Sequence, residues 1–176
     1  MMAIYFKTPE IKSENLVLRP LRVEDYEGIY KIRSDVENTR YVDMRPYENI
    51  ERAKRFIEAV NEDIKNSLVA FWGVYLVVDE AKEILVGTVC LMDYEEQEYI
   101  AEIGYEIMRE YSGQGIMIKA VEEVIDFAFK GMNLNGVCAE THINNEPSIR
   151  LLKKLNFKVE KKDNKRDMTY YFLYRR

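Results

Sequence analysis

Apolar positions recur along the whole chain, and the places where their period changes mark out the elements. Leu16 to Leu18, followed by Arg19-Pro20, reads as a short strand. Arg22 to Asp25 then opens a helical pattern carried by Tyr26, Ile29, Tyr30 and Ile32. A second helix spans about Asn49 to Lys65, with Ile50, Ala53, Phe56, Ile57 and Val60 on one face. Between the two, Asn38 to Pro46 is a polar loop carrying Arg40, Tyr41 and Arg45. Leu68 to Val78 is continuously apolar, as a strand buried on both faces would be. Ile84 to Met92 is its hairpin partner across the turn Asp79 to Glu83. In Tyr99 to Met108, Ile100, Glu102, Gly104 and Glu106 alternate with Ala101, Ile103, Tyr105 and Ile107, the period of a strand.

The pattern then becomes strand, glycine loop, helix. Gly115 to Lys130 has Ile116, Ala120, Val124, Phe127 and Ala128 at helical spacing and stops at Gly131. Val137 to Ile143 is a strand. Pro147 to Leu155 is a helix with Asn145 placed to cap it, and Phe157 to Glu160 and Met168 to Tyr174 are the closing strands. This order predicts an α/β (α+β) domain: a mixed, mostly antiparallel central sheet with helices on both faces. No repeat or linker divides the chain, so one domain over 1–176 is expected.

Composition narrows the function. At 176 residues with 47% apolar content, the chain can bury a core without disulfide or metal. No run approaches the ~20 apolar residues of a membrane span, and Met1 to Glu10 lacks a secretory h-region. Cys90 and Cys138 each sit in an apolar run, and His142 is the single histidine, so no metal site is expected. Reduced thiols without an export signal suggest a cytoplasmic protein. A net charge of −5 argues against nucleic acid as partner. The charge is uneven: four carboxylates fall in Asp93 to Glu98, and seven Lys or Arg in Lys153 to Arg166. Solvated faces explain both runs most simply. The alternative is an acidic mouth for a cationic substrate and a basic rim for a phosphorylated cofactor.

The candidate chemistry starts at Tyr111-Ser112-Gly113-Gln114-Gly115-Ile116. Backbone amides at a helix start form an anion site, and glycines let the chain approach a pyrophosphate closely. A Walker loop is excluded because no Gly-Lys-Ser/Thr follows. A dinucleotide fingerprint is excluded because Ile118 stands where its third glycine belongs. By itself the loop is equally consistent with two turn glycines.

Thirty-two residues after Gly113 comes Asn145-Glu146-Pro147-Ser148, and then Ile149 to Phe157. Add Leu16 to Leu21 with Asp25, Val86-Gly87, and Ala101-Glu102-Ile103-Gly104-Tyr105. Together these resemble the Gcn5-related N-acetyltransferase (GNAT) family, and within it the ribosomal-protein N-terminal acetyltransferase branch. The resemblance implies the GNAT acyltransferase fold and acetyl transfer from acetyl-CoA to a primary amine, on a protein N-terminus or a small molecule, by direct attack. A non-catalytic acyl-CoA-binding module is the alternative, and a homodimer is common among relatives. The resemblance also implies that the strands at Tyr99 to Met108 and Val137 to Ile143 splay around the pantetheine arm. Ile107 and Met108 would supply backbone groups there, including an N–H for the thioester carbonyl. Gly113, Gln114, Gly115, Ile116 and Met117 would hold the pyrophosphate, and Asn145 would reach the pantetheine. Glu110 stands where the wider family has Gln or Arg.

Amine attack needs a base, and the departing thiolate, with a thiol pKa of about 8.5, gains from a proton donor. Glu102 matches a glutamate that relatives use through a water, and Glu106 shares its face. Each could equally be an exposed glutamate paired with a cation, or an attractor of the amine. Ser148 follows Asn-x-x, as the branch's donor does, while Leu152 occupies the place of the wider family's tyrosine. Both Ser148 and Asn145 could simply be helix-start residues. Tyr41, Tyr94 and Tyr105 are candidate acceptor walls. Lys153, Lys154 and Lys158 are candidates for the CoA 3′-phosphate.

Overall fold

The computed structural model describes residues 7–42, 44–79, 82–95 and 97–175. Its centre is one eight-stranded sheet in the order β1-β2-β3-β4-β5-β6-β8-β7. The strands are β1 Ile11–Ser13, β2 Leu16–Arg19, β3 Ala70–Asp79, β4 Lys82–Glu95, β5 Ile100–Ile107, β6 Gly136–His142, β7 Lys158–Asp163 and β8 Met168–Tyr174. Every neighbouring pair is antiparallel except β5 and β6. The helices are α1 Tyr26–Ser34, α2 Val36–Thr39, α3 Ile50–Lys65, α4 Ile116–Lys130 and α5 Glu146–Lys154.

The alternation of side chains decides which helix covers which face. Leu16 and Leu18 point to the face packed by α4, with Ala70, Trp72 and Val74 beside them. Val17 points the other way, joining Phe71 and Tyr75 against Ile29 of α1 and Ala53, Ile57 and Val60 of α3. Leu151, Leu152 and Leu155 of α5 share the α4 core. On the α1–α3 side, Arg19 is 7% exposed and is held by Asp25 at 3.1 Å, Glu83 at 3.2 Å and the Tyr75 hydroxyl at 2.9 Å. A buried guanidinium needs such partners.

Several expectations are corrected. Strand β1 was not anticipated. The expected loop at Asn38 to Pro46 begins inside α2, whose start is fixed by the Asp35 carboxylate accepting the Glu37 N–H at 2.9 Å. The first helix begins with a 3-10 turn at Val23–Asp25 rather than an α-turn. The run from Leu68 is buried only through Tyr75, and Leu68 itself is 65% exposed. Strand β7 reaches Asp163, three residues beyond its expected end. Glu80 and Ala81 of the expected β3–β4 turn, Glu96 of the acidic run and Met1 to Phe6 lie outside the described residues.

Candidate active site

The pairing of β5 with β6 stops early. Ile100, Ala101 and Glu102 face Gly136, Val137 and Cys138, and beyond them the two strands have no further register. The implied splay is therefore present. Which β5 groups face the gap follows from the ladder on the other side. Met108 N–H donates to Val86 O at 2.8 Å. Bonded and non-bonded pairs alternate in an antiparallel ladder, so the amides of Ile103, Tyr105 and Ile107 turn toward β6. Met108 is corrected here. Its N–H is already used, and its carbonyl accepts from Tyr111 N–H at 2.9 Å. The N–H groups that face the gap are those of Ile103, Tyr105 and Ile107, so of the expected pair Ile107 has its amide on that side.

At the end of β5 the chain turns through a 3-10 segment, Arg109–Tyr111, into the glycine loop. Gly113 and Gly115 have φ of +76° and +80°, which disfavour any residue with a Cβ. A Cβ at either would meet nothing within 4 Å, so the space over the loop is open. Gly115 caps α4 without a side-chain acceptor, and the first α-helical bond runs from Lys119 N–H to Gly115 O. The amides of Ile116 and Met117 at the helix start thus lack an intrahelical partner and face the same opening. The Gln114 side chain folds back to donate to Glu110 O at 2.9 Å, leaving its backbone as its contribution.

Asn145 caps α5 through Oδ1, which accepts from Ser148 N–H at 3.3 Å. Its N–H donates to His142 O and its carbonyl accepts from Ile149 N–H. The Asn145 N–H is therefore engaged, and its side-chain Nδ2 and the second lone pair of its carbonyl are the groups left to reach a ligand. Ser148 Oγ lies 2.9 Å from Tyr105 Oη. Burial is the main cause that pushes the Tyr105 phenol up to about 12, so the hydroxyl stays protonated at neutral pH.

Glu102 and Glu106 share one face of β5 but not one environment. Glu106 Oε1 accepts from Arg33 Nη2 at 2.6 Å, Arg33 Nε at 2.8 Å and Thr88 Oγ1 at 3.1 Å. It is thus committed to a cation and poorly suited as a base. Among the described residues, no cation pairs with Glu102. Burial first, then Glu140 and Asp93, raises its carboxyl to about 7. Glu140 was not anticipated, although Cys138, Glu140 and His142 alternate onto one face of β6 and the spacing could have revealed it. Its own carboxylate accepts from Tyr170 Oη at 3.0 Å and pairs with Arg166 at 3.2 Å.

One continuous groove of about 1360 Å³ joins these parts. Glu102, Tyr105, Glu106, Ile107, Gly113, Gly115, Ile116, Met117, Asn145 and Ser148 all line it, and so does Tyr41. Tyr41 stacks on His142 with ring centroids 5.1 Å apart, bridging the α2 side and the end of β6. Tyr94 does not line the groove and sits edge-on to Tyr99. Met108 belongs to a smaller neighbouring pocket with Lys31 and Arg109. Of the three lysines considered for a phosphate, only Lys154 lines the groove.

Residues 15–158 match the family model described as Acetyltransferase (GNAT) domain. An uncharacterized N-acetyltransferase of Bacillus licheniformis is 32% identical over 149 residues, which is 84% of this chain and 82% of that protein. The spermidine N(1)-acetyltransferase of Escherichia coli is 25% identical over 84% of this chain and 75% of its own. The crystal structure of spermidine N-acetyltransferase from Vibrio cholerae with CoA and spermine superposes with a TM-score of 0.77 at 20% identity, covering 91% of this chain and 95% of that one. The open glycine loop and the free amides at the start of α4 fit a CoA pyrophosphate. The chain belongs to the GNAT acetyltransferase family and is an acetyl-CoA-dependent N-acetyltransferase acting on an amine.

Proposed function

We propose that this protein acetylates a cationic primary amine with Glu102 as the base and the Tyr105–Ser148 hydroxyl pair as donor to the departing sulfur. The observation that carries the reading is a half-buried carboxyl without a cationic partner, in the groove that also holds the glycine loop; burial, Glu140 and Asp93 push it up to about 7. A base with a pKa near the working pH combines a usable ionised fraction with real proton affinity. When ionised, Glu102 attracts the ammonium and then takes its proton, directly or through one water. The neutral amine attacks the thioester carbonyl, whose developing negative charge is met by a gap-facing amide, Tyr105 or Ile107. Ser148 hydrogen-bonds the sulfur, with its own proton supported by the Tyr105 hydroxyl.

CoA-thiol release across a panel of primary amines tests the reading. Turnover that drops sharply in Glu102→Gln, while CoA binding persists, is expected. Undiminished turnover in a Glu102→Gln, Ser148→Ala double variant would remove these roles. The chemistry needs no export or membrane attachment, and a cytoplasmic site of action, where acetyl-CoA is made, is part of the same proposal.

A further inference from the structure

The α1–α3 side of the groove has a floor and a wall of unusual chemistry for a site that must receive a cation. On the floor, Glu102 pairs across the strands with Met92, Gly104 with Cys90, and Glu106 with Thr88. The Gly104–Cys90 row continues onto Phe71 of β3. Phe71 is 5% exposed and meets the edge of Phe56 from α3 at 5.6 Å between centroids. Arg33 covers Phe56 at 3.7 Å, and its charge is neutralised by Glu106, the two side chains being 14% and 19% exposed. Among the described residues of this interior, Glu102 is the one carboxylate without a cationic partner, Glu140 on the neighbouring β6 being paired with Arg166. Around the rim, Glu37 pairs with Arg40 and Asp63 is solvent-exposed, where water and salt screen it, while Asp93, also exposed, acts on Glu102 and so adds to the same cation site.

From this arrangement we infer that the acceptor is a monocationic primary amine bearing a compact apolar body, aliphatic or aryl. This rests on the acetyl-transfer reading above. The ammonium sits at Glu102 and the body lies over Gly104 against Phe56, Phe71 and Met92. One unpaired interior carboxylate matches one ammonium. A second ammonium carried further into this half would lose its water against two phenylalanines and meet only the screened carboxylates of the rim. An apolar group there instead leaves water for a surface that already excludes it. Gly104 gives the body its room: a Cβ would meet Cys90 Sγ and Met92 Cε, each at 3.1 Å. The same chemistry is offered by a free arylalkylamine and by a peptide whose first residue has a large apolar side chain.

The test is kcat/KM by CoA-thiol release on the full chain with phenethylamine, ethylamine, spermidine, and tetrapeptides beginning with Phe or Ser. Phenethylamine or the Phe peptide should exceed its small counterpart by about tenfold or more, and spermidine should fall below it. Whichever of the two is preferred identifies the source. Gly104→Ala should shrink the advantage by raising KM. Met92→Glu adds a carboxylate on the floor itself, at a half-buried position beside Glu102 rather than on the screened rim. It should lower the arylalkyl preference and raise spermidine turnover, with the CoA-induced thermal shift unchanged. Spermidine or ethylamine as the better substrate overturns the inference and leaves acetyl transfer standing, as does an advantage that neither variant moves. If CoA binds but no amine in the panel is turned over, the acetyl-transfer reading falls and takes this one with it.

Discussion

Tyr105 Oη and Ser148 Oγ, 43 positions apart in the chain, lie 2.9 Å from each other where β5 meets the start of α5. Neither hydroxyl is an acid by itself, and their pairing gives the sulfur side of the groove a proton that can be replaced as it is used. Ser148→Ala and Tyr105→Phe should each lower kcat by about tenfold or more. The double variant should be little worse than the worse single one, because the two act as one unit. Saturating steady-state kinetics on the four proteins decides it, and multiplicative losses would show two independent roles.

The raised Glu102 carboxyl makes activity and stability respond oppositely to pH. As the base it must be ionised, so kcat/KM should fall as pH drops below about 7, and Glu102→Gln should lose that limb along with most of its rate. The folded state holds the Glu102 proton up to about 7 while the unfolded chain releases it near 4.5. Between those values the folded state binds more protons, so this residue's contribution to stability falls as pH rises through the window. Solvent screening keeps the effect small. At pH 8 Glu102→Gln should be more stable than the parent by about 1 kcal/mol, with the difference gone below about pH 4.5. Thermal melts of both proteins across that range check the sign.

Gly113→Ala and Gly115→Ala each force a Cβ into the left-handed region, at a cost of about 1–2 kcal/mol. The loop's alternative is to relax away from the geometry that aims its amides. Either way the CoA-induced rise in melting temperature should shrink, corresponding to about tenfold weaker binding, while the amine KM at saturating acetyl-CoA changes little.

Arg33→Ala would strand Glu106 half-buried without its cation and should destabilise the fold by about 3 kcal/mol. Arg33→Met with Glu106→Gln removes both charges and should recover most of that loss, as read from urea midpoints. Failure to recover would mean that Arg33 acts chiefly through its stacking on Phe56 and Tyr47.

What the sequence displayed and what it hid divide along physical lines. Apart from the three-residue β1, which has no buried residue, the order of strands and long helices was legible from buried faces with their own period, as in Ile50 to Val60 or Tyr99 to Met108. The glycine loop was legible because left-handed backbone demands glycine locally. Strand β7 was only half visible: Lys-Val-Glu-Lys-Lys-Asp has no apolar alternation, since an exposed edge strand is defined by its ladder to β8 and not by burial. Helix α2 is a single turn set by one capping aspartate, too short for a period. The partners of the site were hidden for another reason. Glu106 is 73 positions from Arg33, and only the closed sheet shows that one β5 glutamate is neutralised while the other, four positions away on the same face, is not.

The early end of the β5–β6 ladder means that the resting protein carries an unfinished seam, a line of backbone donors and acceptors with nothing opposite. A ligand whose own amides lie along that line would serve as a surrogate strand, joining the part built on β1–β5 to the part built on β6–β8. Amide exchange should register this as every second residue: Ile103, Tyr105 and Ile107 slowed by CoA, Gly104 and Glu106 already slow through β4. Uniform slowing along β5 would speak instead for general tightening. On this view each catalytic cycle closes and reopens the sheet itself, and product release is the step at which the protein gives up part of its own hydrogen bonding.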